Sequence, residues 1–351
     1  MSARLTVGIR CDAGPRTGVG HLVRCVALAE ELTARGVAVR FLSDLGGLEW
    51  AARQLASRGL PRHPAPDDPA GLVAAADRLG LDAVVVDSYD LAPEHSSTLR
   101  ASGRTVLAII DGDPRGQQAD LYVDQNLDAE LAAPELAPGA IRLAGLKHAL
   151  LRRAVRSLRP PAPPTRAHGT PRVVAFFGGT DAYRAAPVAC RLLLQTGVDF
   201  TATIVAADDE LRAELLALSP AAGQRLEVIE PTDDLPKLLA DADLAISASG
   251  TSTWELLCLG LPAALLWVVD NQIIGYGRTT DRGLAVGLGR LSALRDSEGD
   301  AAAAVDLLRD LLVNDSTRAA LAARAWAAVD GQGCSRVVGA LLTATASREE
   351  V

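Results

Sequence analysis

The sequence predicts an α/β protein made of two Rossmann-like domains that face each other across a cleft. Short apolar runs of strand length alternate with amphipathic runs of helix length along most of the 351 residues. A proline-rich stretch near the middle interrupts this alternation, which then begins again. Repeated strand–helix units indicate a parallel sheet covered by helices on both faces, so two such halves indicate two domains.

The first half carries a nearly continuous series of strand and helix signals. Strands are predicted at residues 5–9, 37–42, 82–87, 105–110 and 121–126, and helices at 22–35, 48–58 and 69–79. Polar residues follow the apolar runs where several of these strands end. Because ligands bind at the carboxyl ends of strands in open parallel sheets, these polar residues are candidates for a site.

Residues 159–165 contain four prolines, which exclude regular structure and stiffen the segment. We therefore predict an N-terminal domain at 1–158, a linker at 159–170 and a C-terminal domain at 171–351. In the second half, strands are predicted at 172–177, 200–205, 226–229, 242–246 and 263–267, with helices between them and a helical tail over 300–345.

Composition excludes several classes of protein. The hydrophobic fraction of 49% is enough for sizeable cores, and the net charge of −8 argues against a nucleic-acid-binding or membrane-surface protein. No apolar run has the length of a membrane span, and the N-terminus lacks the apolar region of a signal peptide. The five cysteines have no metal-ligand spacing, so we expect buried thiols in a reduced, cytoplasmic protein; no oligomeric state is indicated.

A turn rich in small residues in the second half has the pattern of an anion site. It lies between a strand and a helix that ends at Gly260, and it contains Ser249, Gly250, Thr251, Ser252 and Thr253. The first N–H groups of such a helix and its dipole attract negative charge. Glu255 lies one turn further on, where a carboxylate could accept hydrogen bonds from ribose hydroxyls. The alternative interpretation is an ordinary helix with a Ser/Thr N-cap.

A glycine-rich loop follows the first strand and leads into the first helix. Gly18 and Gly20 precede His21, and the spacing is not the G-x-G-x-x-G of a dinucleotide-binding fingerprint. His21 stands where the strand gives way to the helix, so its ring can face the predicted cleft. The alternative is that His21 only caps its helix.

These motifs resemble those of GT-B nucleotide-sugar enzymes. Residues 249–255 and 270–272 look like the turn–helix and polar loop of that group, and residues 18–25 (GVGHLVRC) are similar to the G-x-G-H-x-x-R-C signature of the pseudaminic-acid pathway UDP-sugar hydrolases and the related spore-coat polysaccharide proteins. Residues 87–89, 178–181, 252–256, 271–272 and 330–333 fall in the order that this family shows. The chain departs from the family at Ile273 and Ile274 and after Thr180.

The resemblance implies that water releases UDP from a UDP-activated, acetamido-deoxy sugar by cleavage of the anomeric C–O bond. UDP is a good leaving group, whose growing charge the two helix-start loops can hold. Water then needs a base, and histidine suits that task at neutral pH. The resemblance places His21, Tyr89 and Asn271 in catalysis; the predicted substrate-binding residues are Asp12, Gly18, Gly20, Arg24, Gly178, Gly179, Thr180, Ser249, Gly250, Thr251, Ser252, Thr253, Glu255 and Gln272.

Each of the smaller assignments has an alternative. Tyr89 orients the sugar or the water, or only packs at the rim, and Asn271 holds water or an N-acetyl group, or is a turn residue. We expect neither a cofactor nor a metal, since the aspartates after the first-half strands come from separate strand ends. The remaining histidines are expected at the surface; they are His63, His95, His148 and His168.

Three functions fit this sequence. The first is hydrolysis of a UDP-sugar in nonulosonic-acid, cell-surface or secondary-metabolite sugar synthesis. The second is a GT-B glycosyltransferase, in which an acceptor hydroxyl replaces water. The third is a non-catalytic nucleotide-sugar binder.

Overall fold

The computed structural model describes residues 5–14, 18–165 and 169–349. The chain divides into two compact units. The N-terminal unit comprises the residues up to Arg153 together with those from Gly331 onward, and the C-terminal unit comprises Ala154–Asp330. The predicted surface position of His168 and the loop residues 15–17 lie outside the described residues.

The N-terminal unit is built on a parallel sheet with strand order β3-β2-β1-β4-β5-β6-β7 among the described residues. The strands are β1 (Thr6–Cys11), β2 (Ala38–Leu42), β3 (Arg62–His63), β4 (Ala83–Asp87), β5 (Thr105–Ile109), β6 (Leu121–Asp124) and β7 (Ile141–Ala144). The helices are α1 (Gly20–Ala34), α2 (Glu49–Ala56), α3 (Pro69–Leu79) and α4 (Glu94–Ala101). A short helix, α5 (Arg153–Arg156), lies at the boundary between the units.

The C-terminal unit repeats this design around a second parallel sheet, with order β10-β9-β8-β11-β12-β13 in the part of the chain that the structure describes. Its strands are β8 (Arg172–Phe176), β9 (Phe200–Val205), β10 (Gln224–Ile229), β11 (Leu244–Ala248), β12 (Ala263–Trp267) and β13 (Val286–Arg290). Its helices are α6 (Ala185–Gln195), α7 (Asp209–Leu216), α8 (Leu235–Asp241), α9 (Ser252–Leu259), α10 (Ile273–Asp281), α11 (Leu291–Asp296), α12 (Glu298–Val313) and α13 (Asp315–Ala328).

The two faces of the N-terminal sheet bury different sets of side chains, because successive residues of a strand point to opposite faces. Val7, Ile9 and Cys11 of β1 pack in the core beneath α1. Leu42 and Val86, from the neighbouring strands, pack in the core beneath α3 and α4. Runs of apolar residues such as β4 are buried on both faces, which explains why they show no polar alternation.

Only part of the predicted helical tail belongs to the C-terminal unit, which contains α12 and α13. The last helix, α14 (Gly333–Glu349), packs in the N-terminal unit, and its Cys334, Val337, Val338 and Leu341 join the core beneath α1. The boundary between the units also lies at residues 153–154, before the predicted linker. Composition shows that a tail is helical and amphipathic but does not show which core it covers.

The strand–helix alternation was predicted largely as observed, with ends that differ by a few residues. The strands and α-helices that were not predicted from the sequence are β3, β7, β13, α4, α5, α10 and α11. In α4, four of the eight residues are Ser, Thr or His, and this polar composition hides the helix because Ser and Thr are weak helix formers. Strands β3 and β13 lie at sheet edges, where short, polar or glycine-containing segments suffice.

Two of the histidines expected at the surface are buried. His95 lies in the first turn of α4 with its ring nitrogens 3.1 Å from Ala92 O and 3.2 Å from Asp67 O. His148 is held with Nδ1 3.0 Å from Ala144 O. The cysteine prediction is confirmed, since Cys11, Cys25, Cys190, Cys258 and Cys334 are free and buried. Within the described residues, the helices include none with the length and apolar character of a membrane span.

We expect Gly333→Ala to destabilise the N-terminal unit by about 1–3 kcal/mol, because an added methyl group would overpack the start of α14. A Cβ atom there would lie 2.2 Å from Ala149 O and 2.6 Å from Ala149 N, both of them backbone atoms. The measurement is the free energy of unfolding in urea. Gly339→Ala in the same helix is the matched control, since its Cβ would meet only Arg35 Nη1 at 3.7 Å. Equal stability of the two variants would contradict this packing.

Candidate active site

The N-terminal unit brings His21 and Asp87 into direct contact. Gly18, with φ of +73°, lets the chain turn into α1, whose first residues are Gly20 and His21. Asp87 is the last residue of the buried strand β4. His21 Nδ1 lies 2.6 Å from Asp87 Oδ1, and the Asp87 side chain is fully buried while that of His21 is 14% exposed.

Arg24 fixes the position of Asp87 and joins it to a second aspartate. Its Nε and Nη2 atoms donate to the two oxygens of Asp87 at 2.7 Å. Its Nη1 and Nη2 atoms also donate to Asp111, at 3.0 and 3.1 Å. Arg24 is only 3% exposed. Its guanidinium is occupied by the two carboxylates and positions them, and its predicted contact with a substrate stays a prediction.

The contact with Asp87 determines which ring nitrogen of His21 carries the proton. Arg24 Nη2 also lies 3.2 Å from His21 Nδ1, but arginine can only donate a hydrogen bond. The shorter contact, 2.6 Å, is to a carboxylate that can only accept. Nδ1 therefore carries the proton and donates to Asp87, which leaves the lone pair of a neutral ring on Nε2. A histidine in this state can act as a general base.

Tyr89 packs against the ring of His21 and also contacts Asp111. The two rings are T-shaped, with centroids 4.6 Å apart, and the Tyr89 hydroxyl donates a short hydrogen bond to Asp111. The guanidinium of Arg115 lies 4.1 Å from the centre of the Tyr89 ring. Tyr89 therefore orients the imidazole, while 40% of its surface stays exposed.

Asn126 completes the cluster from the end of the next strand. Its Nδ2 atom donates to Asp111 Oδ1 and to Asp124 Oδ1, both at 2.9 Å. Asp124 Oδ2 in turn accepts from the backbone N–H of Gly112 at 3.0 Å. The polar ends of β4, β5 and β6 thus form one hydrogen-bonded network at the carboxyl edge of the sheet.

The electrostatics of this cluster keep both of its central carboxylates ionised. Burial alone would raise the pKa of Asp87, but Arg24 and then His21 outweigh it, and the pKa is lowered. The pKa of Asp111 is lowered in the same way, with Arg24 outweighing burial. Burial and the adjacent Asp111 raise the pKa of Tyr89, so its phenol stays neutral. Burial also raises the pKa of the Cys25 thiol, whose Sγ lies 3.5 Å from Asp87 Oδ2.

The described residues hold no group of three or more His, Cys, Asp or Glu side chains arranged to bind a metal ion. The carboxylates that the sequence places after the first-half strands are directed to other partners. Asp87 and Asp111 pair with Arg24, and Asp113 Oδ1 accepts from the backbone N–H of Arg115.

Asp12 does not join the His21 cluster. Its carboxylate lies 2.6 Å from Arg10 Nη1 and accepts a hydrogen bond from the backbone N–H of Asp44 at 2.9 Å. Asp12 therefore has different neighbours from His21, and its contribution to a sugar site stays a prediction.

In the C-terminal unit, the predicted anion turn lies at the carboxyl end of β11. The backbone N–H of Ser249 donates to Leu266 O at 2.8 Å, which ties the turn to β12. α9 begins at Ser252, and Thr251 at its N-cap position makes no side-chain hydrogen bond to the helix. The alternative interpretation, an ordinary helix with a Ser/Thr N-cap, therefore does not describe the start of α9 in the structure.

Thr253 contributes a hydroxyl group without a hydrogen-bond partner to this turn. Its Oγ1 is buried, at a residue that is 1% exposed, and has no hydrogen-bond partner. A buried hydroxyl without a partner costs roughly 1–3 kcal/mol, which a bound acceptor would recover. Glu255, one turn later, is buried, so its contact with ribose stays a prediction.

The loop at residues 270–272 meets the same turn. Gln272 Oε1 accepts from the backbone N–H of Val268 at 2.9 Å, so the amide is held back against its own strand end. A Cβ atom on Gly250 would lie 3.9 Å from Gln272 Nε2, which places that amide group beside the turn. Asn271 is exposed in the short 3-10 turn Asp270–Gln272.

The Gly178–Thr180 loop differs from a simple phosphate loop, because an aspartate already fills the start of the next helix. Asp181 accepts from the backbone N–H groups of Ala185 at 2.8 Å and Ala186 at 3.0 Å, the first two residues of α6. The N-terminus of α6 is therefore capped by a carboxylate of the chain itself. Gly178, with φ of +74°, and Gly179 are exposed in the preceding loop.

From the sequence, His21 and Tyr89 were assigned roles and Asp87 was noted only as part of a motif, whereas Asp111 and Asn126 were assigned none. The signal that could have found both is their position directly after β5 and β6, at the carboxyl edge where Asp87 also lies.

No protein-family model matches the chain. Over 63 residues it is 38% identical to the spore coat polysaccharide biosynthesis protein SpsG of Bacillus subtilis, covering 18% of this chain and 19% of SpsG. Over 279 residues it is 21% identical to the uncharacterized protein MJ1062 of Methanocaldococcus jannaschii, covering 76% of this chain and 57% of MJ1062. The chain thus spans about a fifth of the length of SpsG and just over half of the length of MJ1062.

Solved structures share the fold. The chain is similar to Acinetobacter baumannii MurG, with a TM-score of 0.69, 17% identity and coverage of 97% of this chain and 99% of MurG. It is similar to Neisseria meningitidis UDP-GlcNAc 2-epimerase bound to UDP-GlcNAc, with a TM-score of 0.64 and 12% identity. The match covers 97% of this chain and 100% of the epimerase chain. A third similar structure is the spinosyn rhamnosyltransferase SpnG complexed with thymidine diphosphate, with a TM-score of 0.61 and 15% identity. The match covers 95% of this chain and 100% of the SpnG chain. These matches confirm the predicted fold class of two Rossmann-like α/β domains of the GT-B type.

We expect the stability of the C-terminal unit to fall between about pH 4 and pH 6 because of Asp181. Burial raises its pKa to about 6, and the two backbone hydrogen bonds only partly oppose this. Since the unfolded chain releases this proton near pH 4, the folded state binds more protons across that interval, and its stability decreases as pH rises by up to about 3 kcal/mol.

The measurement compares unfolding of the wild-type chain and Asp181→Asn at pH 4 and pH 7.5, followed by tryptophan fluorescence. Three of the four tryptophans lie in residues 154–330, so the signal reports mainly on this unit. The stability of the wild type relative to the variant should be higher at pH 4. A difference independent of pH would show that Asp181 has an ordinary pKa.

Proposed function

We propose that this protein hydrolyses a UDP-activated sugar, with His21 as the base that activates water. The observation that carries the proposal is the 2.6 Å contact of His21 Nδ1 with the buried Asp87, which leaves Nε2 free to accept a proton. The similarity of residues 18–25 to the signature of UDP-sugar hydrolases supports the same assignment. A nucleotide-sugar substrate is also supported by the shared fold of proteins whose structures contain UDP-GlcNAc or thymidine diphosphate.

In the proposed reaction, water attacks the anomeric carbon and transfers one proton to His21 Nε2. A C–O bond forms as the bond between the anomeric carbon and the β-phosphate oxygen breaks, and UDP leaves with the bonding electrons. The products are the free sugar and UDP, so no oxidant or reductant is needed. Positive charge on His21 is stabilised by the ionised Asp87, which is the role of the aspartate in a Ser-His-Asp triad.

The C-terminal unit is proposed to bind the UDP. The turn from Ser249 to Thr253 offers a helix start without a side-chain cap and the unpaired Thr253 hydroxyl to the pyrophosphate. Gln272 Nε2 adds a donor beside Gly250. Asn271, which is exposed, holds the water or an acetamido group in this proposal.

The proposed reaction is independent of metal ions. The two central carboxylates of the His21 cluster, those of Asp87 and Asp111, are both already paired with Arg24. The leaving pyrophosphate is instead stabilised by N–H donors.

Glycosyl transfer is the second candidate. In that reaction an acceptor hydroxyl takes the place of water and gives its proton to the same His21. It is favoured by the fold shared with the rhamnosyltransferase SpnG and by two apolar residues, Ile273 and Ile274, which are 43% and 66% exposed directly after the Asn271–Gln272 turn. An exposed apolar pair of this kind would suit an apolar acceptor.

The central assay measures UDP release from UDP-N-acetylglucosamine and from a UDP-2,4-diacetamido sugar, with and without an alcohol acceptor. We expect release without an acceptor and a loss of about 10²–10⁴-fold in kcat for His21→Ala, with UDP affinity unchanged. His63→Ala is the control for removing a histidine. Release that requires the acceptor would favour transfer, and full activity of His21→Ala would remove this residue from the mechanism.

Asp87→Asn tests the proton assignment on His21. An asparagine amide can present an N–H to Nδ1, which would shift the ring proton to Nε2 and abolish the base. We expect kcat to fall by about 10²-fold or more while the affinity for UDP stays unchanged, since UDP binding is assigned to the C-terminal unit. Circular dichroism and a thermal melt confirm folding of the variant. Wild-type kcat in a folded variant would contradict the proposed role of Asp87.

A further inference from the structure

A cavity of about 340 Å³ lies in the N-terminal unit, and its lining includes Ser88 and Asp90, which flank Tyr89 in the chain. Arg10 of β1 pairs in register with Leu42 and Val86, which face the core beneath α3 and α4. Its neighbours Ile9 and Cys11 face the core beneath α1. Arg10 therefore points to the face of the sheet opposite to α1, which carries His21. The polar residues lining this cavity, here named the Arg10 pocket, are Arg10, Asp12, Asp67, Ser88, Asp90 and His95.

Arg10 is buried without full use of its hydrogen-bond donors. It is 5% exposed, and neither Nε nor Nη1 makes a hydrogen bond in the structure. Nη1 forms an ion pair with Asp12 Oδ1 at 2.6 Å, whereas Nε has no partner. A buried N–H without an acceptor is energetically unfavourable, so the Arg10 guanidinium favours a ligand that brings an oxygen acceptor.

The outer part of the Arg10 pocket carries excess negative charge. Asp67 and Asp90 are exposed, and with Asp12 they place three carboxylates around one guanidinium. Their positions are fixed by the backbone: Asp90 N–H donates to Ser88 Oγ at 3.1 Å, and a ring nitrogen of His95 lies 3.2 Å from Asp67 O. This arrangement disfavours a simple anion and attracts a cationic group to the rim.

We propose that the Arg10 pocket binds a small molecule that carries a primary ammonium group next to an oxygen acceptor. The acceptor pairs with the guanidinium of Arg10, which lines the cavity, and the ammonium pairs with Asp67 and Asp90. An amino sugar, through a hydroxyl, and an amino acid, through its carboxylate, both offer this chemistry. The cavity has room for either, since its volume is that of a small-molecule site.

The test is a ligand-observed NMR titration of the full chain with four probes: glucosamine, serine, glucose and N-acetylglucosamine. Glucosamine or serine should bind at least about tenfold more tightly than the two probes without an ammonium group. Whichever of the two binds more tightly identifies the source of the ligand. Equal affinity for all four probes, or binding of none, would overturn the proposal.

Two variants locate the binding. Asp90→Asn should weaken the affinity for the ammonium probe about two- to fivefold, as expected for one exposed ion pair. Glu94→Gln removes the same charge from an exposed residue outside the pocket and should leave the affinity unchanged. Equal loss in both variants would indicate non-specific attraction and contradict the proposed site.

His21→Ala separates this proposal from the proposed hydrolysis. Because Arg10 and His21 lie on opposite faces of the sheet, that variant should bind the ammonium probe as the wild type does, even when UDP release is lost. If His21→Ala abolished probe binding, the probe would occupy the His21 cluster and the Arg10 pocket would be rejected as its site.

Discussion

The guanidinium of Arg24 is the interaction on which the candidate site depends. It joins the ends of β4 and β5 to α1 through four hydrogen bonds to Asp87 and Asp111. A buried arginine is tolerated only when it is paired, and removal of one partner from such a pair costs about 3–5 kcal/mol. The network therefore stabilises one geometry, in which Asp87 is ionised and faces His21.

That geometry gives His21 its chemical character. The ring is held by Asp87 at one nitrogen and by the edge contact with Tyr89, so Nε2 has a defined direction and a defined lone pair. Tyr89 is itself held by its hydrogen bond to Asp111, which Arg24 also binds. A change at Arg24 would thus reach the imidazole by two routes, although Arg24 has no exposed surface to offer a substrate.

The C-terminal unit shows how two similar helix starts can differ in function. The N-terminus of α6 is filled by Asp181, whereas α9 begins without a side-chain cap and beside the unpaired hydroxyl of Thr253. An anion would have to displace Asp181 at the first helix start but meets no side-chain cap, and the unpaired Thr253 hydroxyl, at the second. This difference supports the Ser249–Thr253 turn, more than α6, as the site of a pyrophosphate.

The sequence by itself determined the two α/β halves, the glycine-rich entry to α1 and the small-residue turn before α9, because these features arise from local patterns of apolar, glycine and hydroxyl residues. It also singled out His21 and Tyr89. Only the tertiary structure decided that Asp111 and Asn126 join them, that Arg24 is buried between aspartates, and that α14 packs with the N-terminal unit. The physical reason is that these depend on contacts between residues 15 to 300 positions apart, which are set by strand order and core packing.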